Sequence, residues 1–379
     1  MEISREVRSG VSAGSLEDYP LISPQVRRRL LTTLLKNVSR AFYLSVRVLP
    51  SEMREPVGIA YLLARAADTI ADTPTLTAEH RRTQLLAFRQ MVAGEVSAGA
   101  EQLSAELADL QPTDGESELL DSLPELLALL NALDGADAEL TRSVVDTLTS
   151  GMHFDLATFS QWDSENPTAL QTPEQMEEYC YLVAGCVGEF WTSMSVLHAD
   201  SVAHWDEQEM RSLGVRFGLA LQMTNILRDL PKDLQMGRCY LPQTILDRAG
   251  LLPRDLLDAT SIDSARPVLS WGIRLTLDHY SAAERYILAI PRRNLRLRLA
   301  AFWPAIIGLE TLLRLSRSAE WLNADIRIKI PRSSVYGIIA LSLLCGRSNT
   351  LIRHWFGRIR RRIERELYDS NEDNKETGH

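Results

Sequence analysis

The chain has 379 residues, 45% hydrophobic and 24% charged, an ordinary globular composition with enough apolar residues for a sizeable core. A formal net charge of −9 leaves no global basic footprint and argues against nucleic acid as a partner. Cys180, Cys186, Cys239 and Cys345 form neither a CxxC pair nor a zinc spacing, and the N-terminus lacks an apolar signal core. Both features fit a reduced, cytoplasmic setting.

Long helical patterns dominate and no strand alternation stands out, so one all-α domain is expected over residues 23–350. A loose polar arm at 1–22 precedes it, and a basic amphipathic segment with a polar tail follows at 351–379. Helix signals begin at Ser23-Pro24, where Ser can cap and Pro can occupy the first turn. A helix is predicted over about 52–70, stopped by Asp72-Thr73-Pro74. Residues 77–98 read as amphipathic helix. Pro112 and Gly115 place a loop in the acidic stretch that follows. Helices resume from about 119 to 158, with a break near Gly135. Thr172-Pro173-Glu174 starts another, which runs through YCYLVAGCVGEFWTSM. One more covers about 206–230, and GRCYLP reads as an irregular connector. Further helices are expected near 264–288, 296–316 and 331–345. The longest apolar stretches, such as 335–345, read as too short to span a bilayer.

Two aspartate pairs share one spacing. Asp68 and Asp72 lie in LLARAADTIADT, and Asp229 and Asp233 in LQMTNILRDLPKDLQMGRCYLP. A spacing of four puts both carboxylates of a pair on one helix face. A single pair is common on solvated helices, but the first follows the apolar run VGIAYLLA. Like charges four apart cost an exposed helix a few tenths of a kcal/mol, and far more in a cavity. Two pairs facing each other would make a cage of hard oxygen ligands suited to Mg²⁺, which takes carboxylates plus substrate phosphates. Gln222, Asn225, Asp229 and Asp233 follow one another at spacings of three, four and four, near one helical stripe. Arg228 and Arg238 lie close by, and guanidinium forks match phosphate oxygens. Tyr61 and Arg65 share the face of Asp68. Ser39-Arg40-Ala41-Phe42-Tyr43 offers another arginine. The plain reading of each such group is a polar face with surface ion pairs, or a core tyrosine with a satisfied hydroxyl.

These segments resemble the squalene/phytoene synthases, which join two prenyl diphosphates head to head. SRAFYLSVRVLP, AYLLARAADTIADT, YCYLVAGCVGEFW and LQMTNILRDLPKDLQMGRCYLP match in order and spacing over about 30–245. The resemblance implies an isoprenoid-synthase helical bundle around a central cavity, three Mg²⁺ ions and farnesyl diphosphate as substrate, with the chain acting as a monomer. It implies Asp68, Asp72, Asp229 and Asp233 as catalytic metal-site carboxylates, with Asn225 beside them. Arg40, Arg65 and Arg228 match diphosphate partners, with Arg238 a weaker match. Ser39 and Gln222 fall in the substrate motifs. Tyr179 matches a tyrosine that assists proton transfer, and Gly185 and Gly188 match small residues that make room for a prenyl chain. Phe42 and Tyr61 would lie near the reacting carbons. Two positions depart from the pattern: Lys232 stands where relatives usually carry an acid, and Thr73 follows Asp72 where a further Asp is frequent.

The product is the open question. IRIKIPRSSVYGII resembles the squalene synthase segment near the NADPH site, which would make Lys329 and Arg332 cofactor cations. A reductive squalene synthase is the favoured reading. The alternatives are a dehydrosqualene, phytoene or presqualene diphosphate synthase without reduction. Chain-elongating prenyltransferases and terpene cyclases carry denser DDxxD motifs, which are absent, and a non-catalytic scaffold should lack Mg²⁺-dependent diphosphate binding. In the tail, Trp355, Phe356, Ile359 and Ile363 share space with six arginines. Such a helix either lies on anionic lipid as a peripheral membrane contact or packs on the domain.

Overall fold

The computed structural model describes residues 22–39, 42–96, 99–159 and 163–376. The expected arm lies almost wholly outside the described residues. Ser23 caps the first helix, its hydroxyl accepting from the Val26 N–H at 3.3 Å. That helix runs Pro24–Arg28, a π-helical turn Arg29–Leu34, then Leu35–Ser39.

Eight further helices set the frame. They are α1 (Ser51–Ala71), α2 (Gly135–Thr158), α3 (Cys186–His198), α4 (Glu207–Gln235), α5 (Ile262–Ala289), α6 (Leu295–Arg317), α7 (Arg332–Cys345) and α8 (Asn349–Glu376). α4 packs against α3, α5 and α6, and α1 packs against α2. The all-α expectation holds, and one large apolar core runs through these helices.

The backbones of α3 and α4 nearly touch. A Cβ on Gly188 would lie 1.9 Å from the Gly214 carbonyl oxygen, and one on Gly218 would lie 2.3 Å from that of Ala184. The glycines of the YCYLVAGCVGEFW segment thus serve helix packing first. Gly188 also lines a cavity, whereas Gly185 faces Leu219 and Tyr181.

α4 outruns its predicted end by about one turn because a distant residue repairs it. Pro231 lies inside the helix and has no N–H to give the Leu227 carbonyl. The Trp321 indole N–H donates to that carbonyl instead, at 2.7 Å. Asp229 and Asp233 therefore remain on one continuous helix.

GRCYLP is not irregular. Arg238–Pro242 forms strand β2, paired in parallel with β1 (Thr168–Leu170), Thr168 opposite Arg238. Gly237 makes the turn from α4 at φ 76°, where L side chains are strained. Two apolar helical stretches also exceed expectation: Pro173–His198 and Leu295–Arg317 are long and apolar enough to cross a membrane by length and composition. The second is mostly buried in the core, and the first walls the cavity described below. The tail forms α8, but Ile352, Phe356, Ile359, Ile363 and Leu367 are buried and the helix packs on α5 and α6. Of the two readings of this helix, the structure shows the packed one for its apolar stripe, while Arg353, Arg358, Arg361 and Arg365 face out.

Trp321→Phe leaves the Leu227 carbonyl unpaired and puts a smaller ring in a fully buried site. A loss of about 1–3 kcal/mol is expected. Urea unfolding measures it, and an unchanged midpoint would remove the indole from this role.

Candidate active site

A cavity of about 840 Å³ opens between α1, α2, α3 and α4. A second, apolar one of about 430 Å³ adjoins it and shares Phe42, Val183, Val187, Trp191 and Asn225 as common wall. The first cavity carries most of the polar groups, whereas Arg228 lines the second. The second is walled by residues such as Phe217, Leu221, Trp303 and Ile307.

α1 buries Leu62, Leu63, Ala66, Ala67 and Ile70, which leaves Tyr61, Arg65, Asp68 and Asp72 on the cavity side. Arg65 grips two carboxylates. One guanidinium nitrogen donates to Asp68 and another to Glu116 Oε1 at 2.6 Å. Enclosure by protein pushes the Asp68 carboxyl up to about 6; Asp72 adds to the rise, and Arg65 opposes it. Tyr61 stacks on Phe42 with ring centroids 4.5 Å apart, both lining the cavity.

On α4, Gln222 and Asn225 line the cavity, and Asp229 and Asp233 follow one and two turns further along. Arg228 Nε donates to Asp229 at 2.9 Å. Burial pushes Asp233 up to about 7, helped most by Asp229 and opposed by Arg238. Asp155 and Asp72 also raise it. The charges of the two sequence motifs therefore reach each other across the site. Lys232 is exposed.

β2 supplies a third group. Arg238 is buried and pairs with Asp155 at 3.0 Å. The Tyr240 hydroxyl donates to Asp155 at 2.5 Å, and Tyr179 stacks on Tyr240 at 4.7 Å. Burial, then the Asp155 charge, holds the Tyr179 hydroxyl well above its ordinary range.

Asp155, Tyr240 and Glu116 are functional candidates that sequence reasoning missed. Asp155 leaves a trace, as the lone carboxylate in the apolar run HFDLATF; Glu116 leaves none in its acidic segment.

Ser39 lines the cavity, although its hydroxyl donates to the Leu35 carbonyl within its own helix. Arg40 lies outside the described residues. Lys329 and Arg332 are exposed and line neither cavity. Lys329 instead shares a basic pocket of about 460 Å³ with Arg314, Arg317, Arg327 and Arg362. Its cations suit phosphate groups.

Among the described residues, no three Asp, Glu, His or Cys side chains form a ready metal cluster. The donor set is nonetheless all oxygen, with two carboxylates from each motif, and the raised pKa values of Asp68 and Asp233 ask for positive charge. That fits Mg²⁺, which needs few carboxylates when phosphate and water complete its shell.

The family profile described as squalene/phytoene synthase matches residues 35–334. The bifunctional lycopene cyclase/phytoene synthase of Colletotrichum graminicola is 28% identical over 75% of this chain, which spans 45% of that protein. The presqualene diphosphate synthase of Zymomonas mobilis is 29% identical over 77% of this chain and 84% of its own length. The solved complex of the squalene synthase TcSQS with the ligand E5700 superposes with a TM-score of 0.71 at 21% identity, covering 92% of this chain and 98% of that one. At that identity the match speaks for the fold.

An ordinary Asp titrates near about 3.9. A carboxyl raised in the fold binds more protons folded than unfolded, so stability falls as pH rises from the unfolded value through the folded one. For Asp233 that window runs from the ordinary value to about 7. Asp233→Asn should therefore melt higher than the parent at about pH 8 without metal, and the gap should narrow toward about pH 5. Thermal unfolding in EDTA at both values checks this. A variant that melts no higher at the upper pH would contradict the burial of this charge.

Proposed function

The chain belongs to the squalene/phytoene synthase family, and on that premise we propose that it joins two farnesyl diphosphates head to head into presqualene diphosphate and reduces this to squalene with NADPH. Members of this family join prenyl diphosphates head to head. The observation that carries the reading here is the pair of aspartate helices whose charges meet at a polar cavity adjoined by an apolar one. Diphosphates suit the first, and prenyl chains suit the aromatic walls and the second.

Mg²⁺, when bound, supplies Lewis-acid stabilisation of the departing diphosphate; Asp68, Asp72, Asp229 and Asp233 would hold it, with Asn225 beside them. Without substrate, Arg65 and Arg228 rest on Asp68 and Asp229. Once cations take the carboxylates, those guanidinium groups are free to turn to phosphate oxygens. In the first step a C–O bond of one farnesyl diphosphate breaks and diphosphate leaves. C1 of that molecule then bonds to both carbons of the C2=C3 bond of the second and gives up one proton. Phe42, Tyr61, Trp191 and the valines keep water from the cation. Tyr179 stays protonated on its own, so its part is to hand the proton on. Tyr240 and Asp155 provide the path, and the released diphosphate is the other acceptor. In the second step the remaining diphosphate leaves and the rearranged cation takes a hydride. NADPH would supply that hydride when bound, and Lys329 and Arg332 would be the cations for its phosphates.

The resemblance of IRIKIPRSSVYGII to the squalene synthase segment near the NADPH site supports the reductive reading. One observation favours a second reading, a stop at presqualene diphosphate or proton loss to dehydrosqualene or phytoene. The pocket around Lys329 shares no lining residue with either cavity, and a presqualene diphosphate synthase is among the relatives.

Purified protein with farnesyl diphosphate and Mg²⁺, with and without NADPH, followed by mass spectrometry of extracted products, separates the two. Squalene only with NADPH is expected. Presqualene diphosphate or dehydrosqualene irrespective of NADPH would replace it. Metal stabilisation of a leaving oxygen contributes several kcal/mol, so Asp68→Asn and Asp229→Asn should each lose at least about a hundredfold in product formation while remaining folded by circular dichroism. Near-parental turnover in either variant would sink the site assignment.

A further inference from the structure

No charged residue occurs in α7 after Arg332, and the next is Arg347, although much of the helix faces solvent. Val335, Ile338, Ile339 and Ser342 follow the spacing of one helical face. This face turns inward: Val335 and Ile339 wall the apolar cavity, and the Trp303 indole donates to Ser342 at 2.7 Å. The opposite face is apolar too. Tyr336, Leu341, Leu343 and Leu344 are 66, 46, 54 and 78% exposed. Surface helices carry charged or polar residues there, and a contiguous exposed apolar face marks an interaction surface.

The surroundings select the partner. From Ile326 to Ile363 the sequence has nine Arg or Lys and no Asp or Glu, within a chain of net charge −9. Arg327, Lys329 and Arg332 stand exposed at the start of α7, and Arg347 just past its end. A second copy would set these cations against each other. An apolar helix face flanked by cations is what an anionic bilayer accepts: leucines enter the headgroup boundary while arginines and lysines meet lipid phosphates. We propose that α7 docks the protein on an anionic lipid surface through its Tyr336–Leu344 face. Arg362 of α8 shares a pocket with Arg327 and Lys329 and adds positive charge there. Docking there sets one wall of the apolar cavity against the bilayer. On the function proposed above, on which this last step alone rests, that wall is where a water-insoluble hydrocarbon passes into lipid.

Full-length protein is floated with vesicles of phosphatidylcholine alone and with vesicles that also contain phosphatidylglycerol. Flotation is expected only with the anionic vesicles and should weaken with added salt. Leu341→Glu with Leu344→Glu should lower vesicle partitioning at least about tenfold without changing the melting temperature, because both side chains already face solvent. Should that pair unfold the protein, Tyr336→Ser gives the same reading at a single exposed site. Equal flotation of parent and variant overturns the proposal, as does a parent that never floats on anionic vesicles. A parent dimer on gel filtration that the variant splits, with no lipid binding, assigns the face to a second copy instead. Diphosphate release from farnesyl diphosphate without vesicles should match in parent and variant. If neither form releases it while flotation behaves as expected, the docking surface stands and the proposed reaction falls.

Discussion

Like charge brought to one place is the constraint around which this molecule is arranged. Asp68 and Asp72 at the end of α1, Asp155 on α2 and Glu116 on the helix Asp114–Asp121 line one cavity, and Asp229 and Asp233 follow on α4, near enough for Asp155 and Asp72 to raise Asp233. Left alone they would repel one another in a poorly solvated space. Each group of carboxylates is given an arginine: Arg65 between Asp68 and Glu116, Arg228 on Asp229, Arg238 on Asp155. The free protein thus holds its site closed on itself. A diphosphate arriving with its cations brings both signs together, so every internal pair can be exchanged for an external one. On the proposed function, one exchange of partners would make the site without a preformed metal cage.

That exchange requires helices that do not yield. The α3–α4 crossing supplies this, because backbone meets backbone where Gly188 and Gly214 leave no side chain between them. The same crossing carries the valines and Trp191 that separate the polar cavity from the apolar one. Charge and hydrocarbon therefore share a wall but keep separate rooms, which suits a substrate with a diphosphate head and a prenyl tail.

Much of this was legible in the residues. The aspartate spacing, the Ser23 and Thr172 caps and the stop after Asp72 are local signals, and local physics decides them. What stayed hidden was decided by partners far along the chain. Nothing near GRCYLP announces a parallel strand, because its mate lies some seventy residues earlier. Pro231 reads as the end of a helix unless Trp321 is known to stand behind it. The stripe Ile352, Phe356, Ile359 and Ile363 reads the same whether it will meet lipid or protein, and here protein takes it. Asp155 and Glu116 carry no motif of their own, since they matter through the arginines they meet.

The bond between Trp321 and the Leu227 carbonyl has a consequence for where this protein can be divided. The aspartate motifs end near residue 245, well before the family match does at residue 334. Yet in the helix bearing the second aspartate pair, the carbonyl freed by Pro231 is paired by an indole that reaches back from the last third of the chain. The last third is thus a splint for α4, and cutting the chain before Trp321 would keep both aspartate motifs while leaving the Leu227 carbonyl, two residues before Asp229, without its partner.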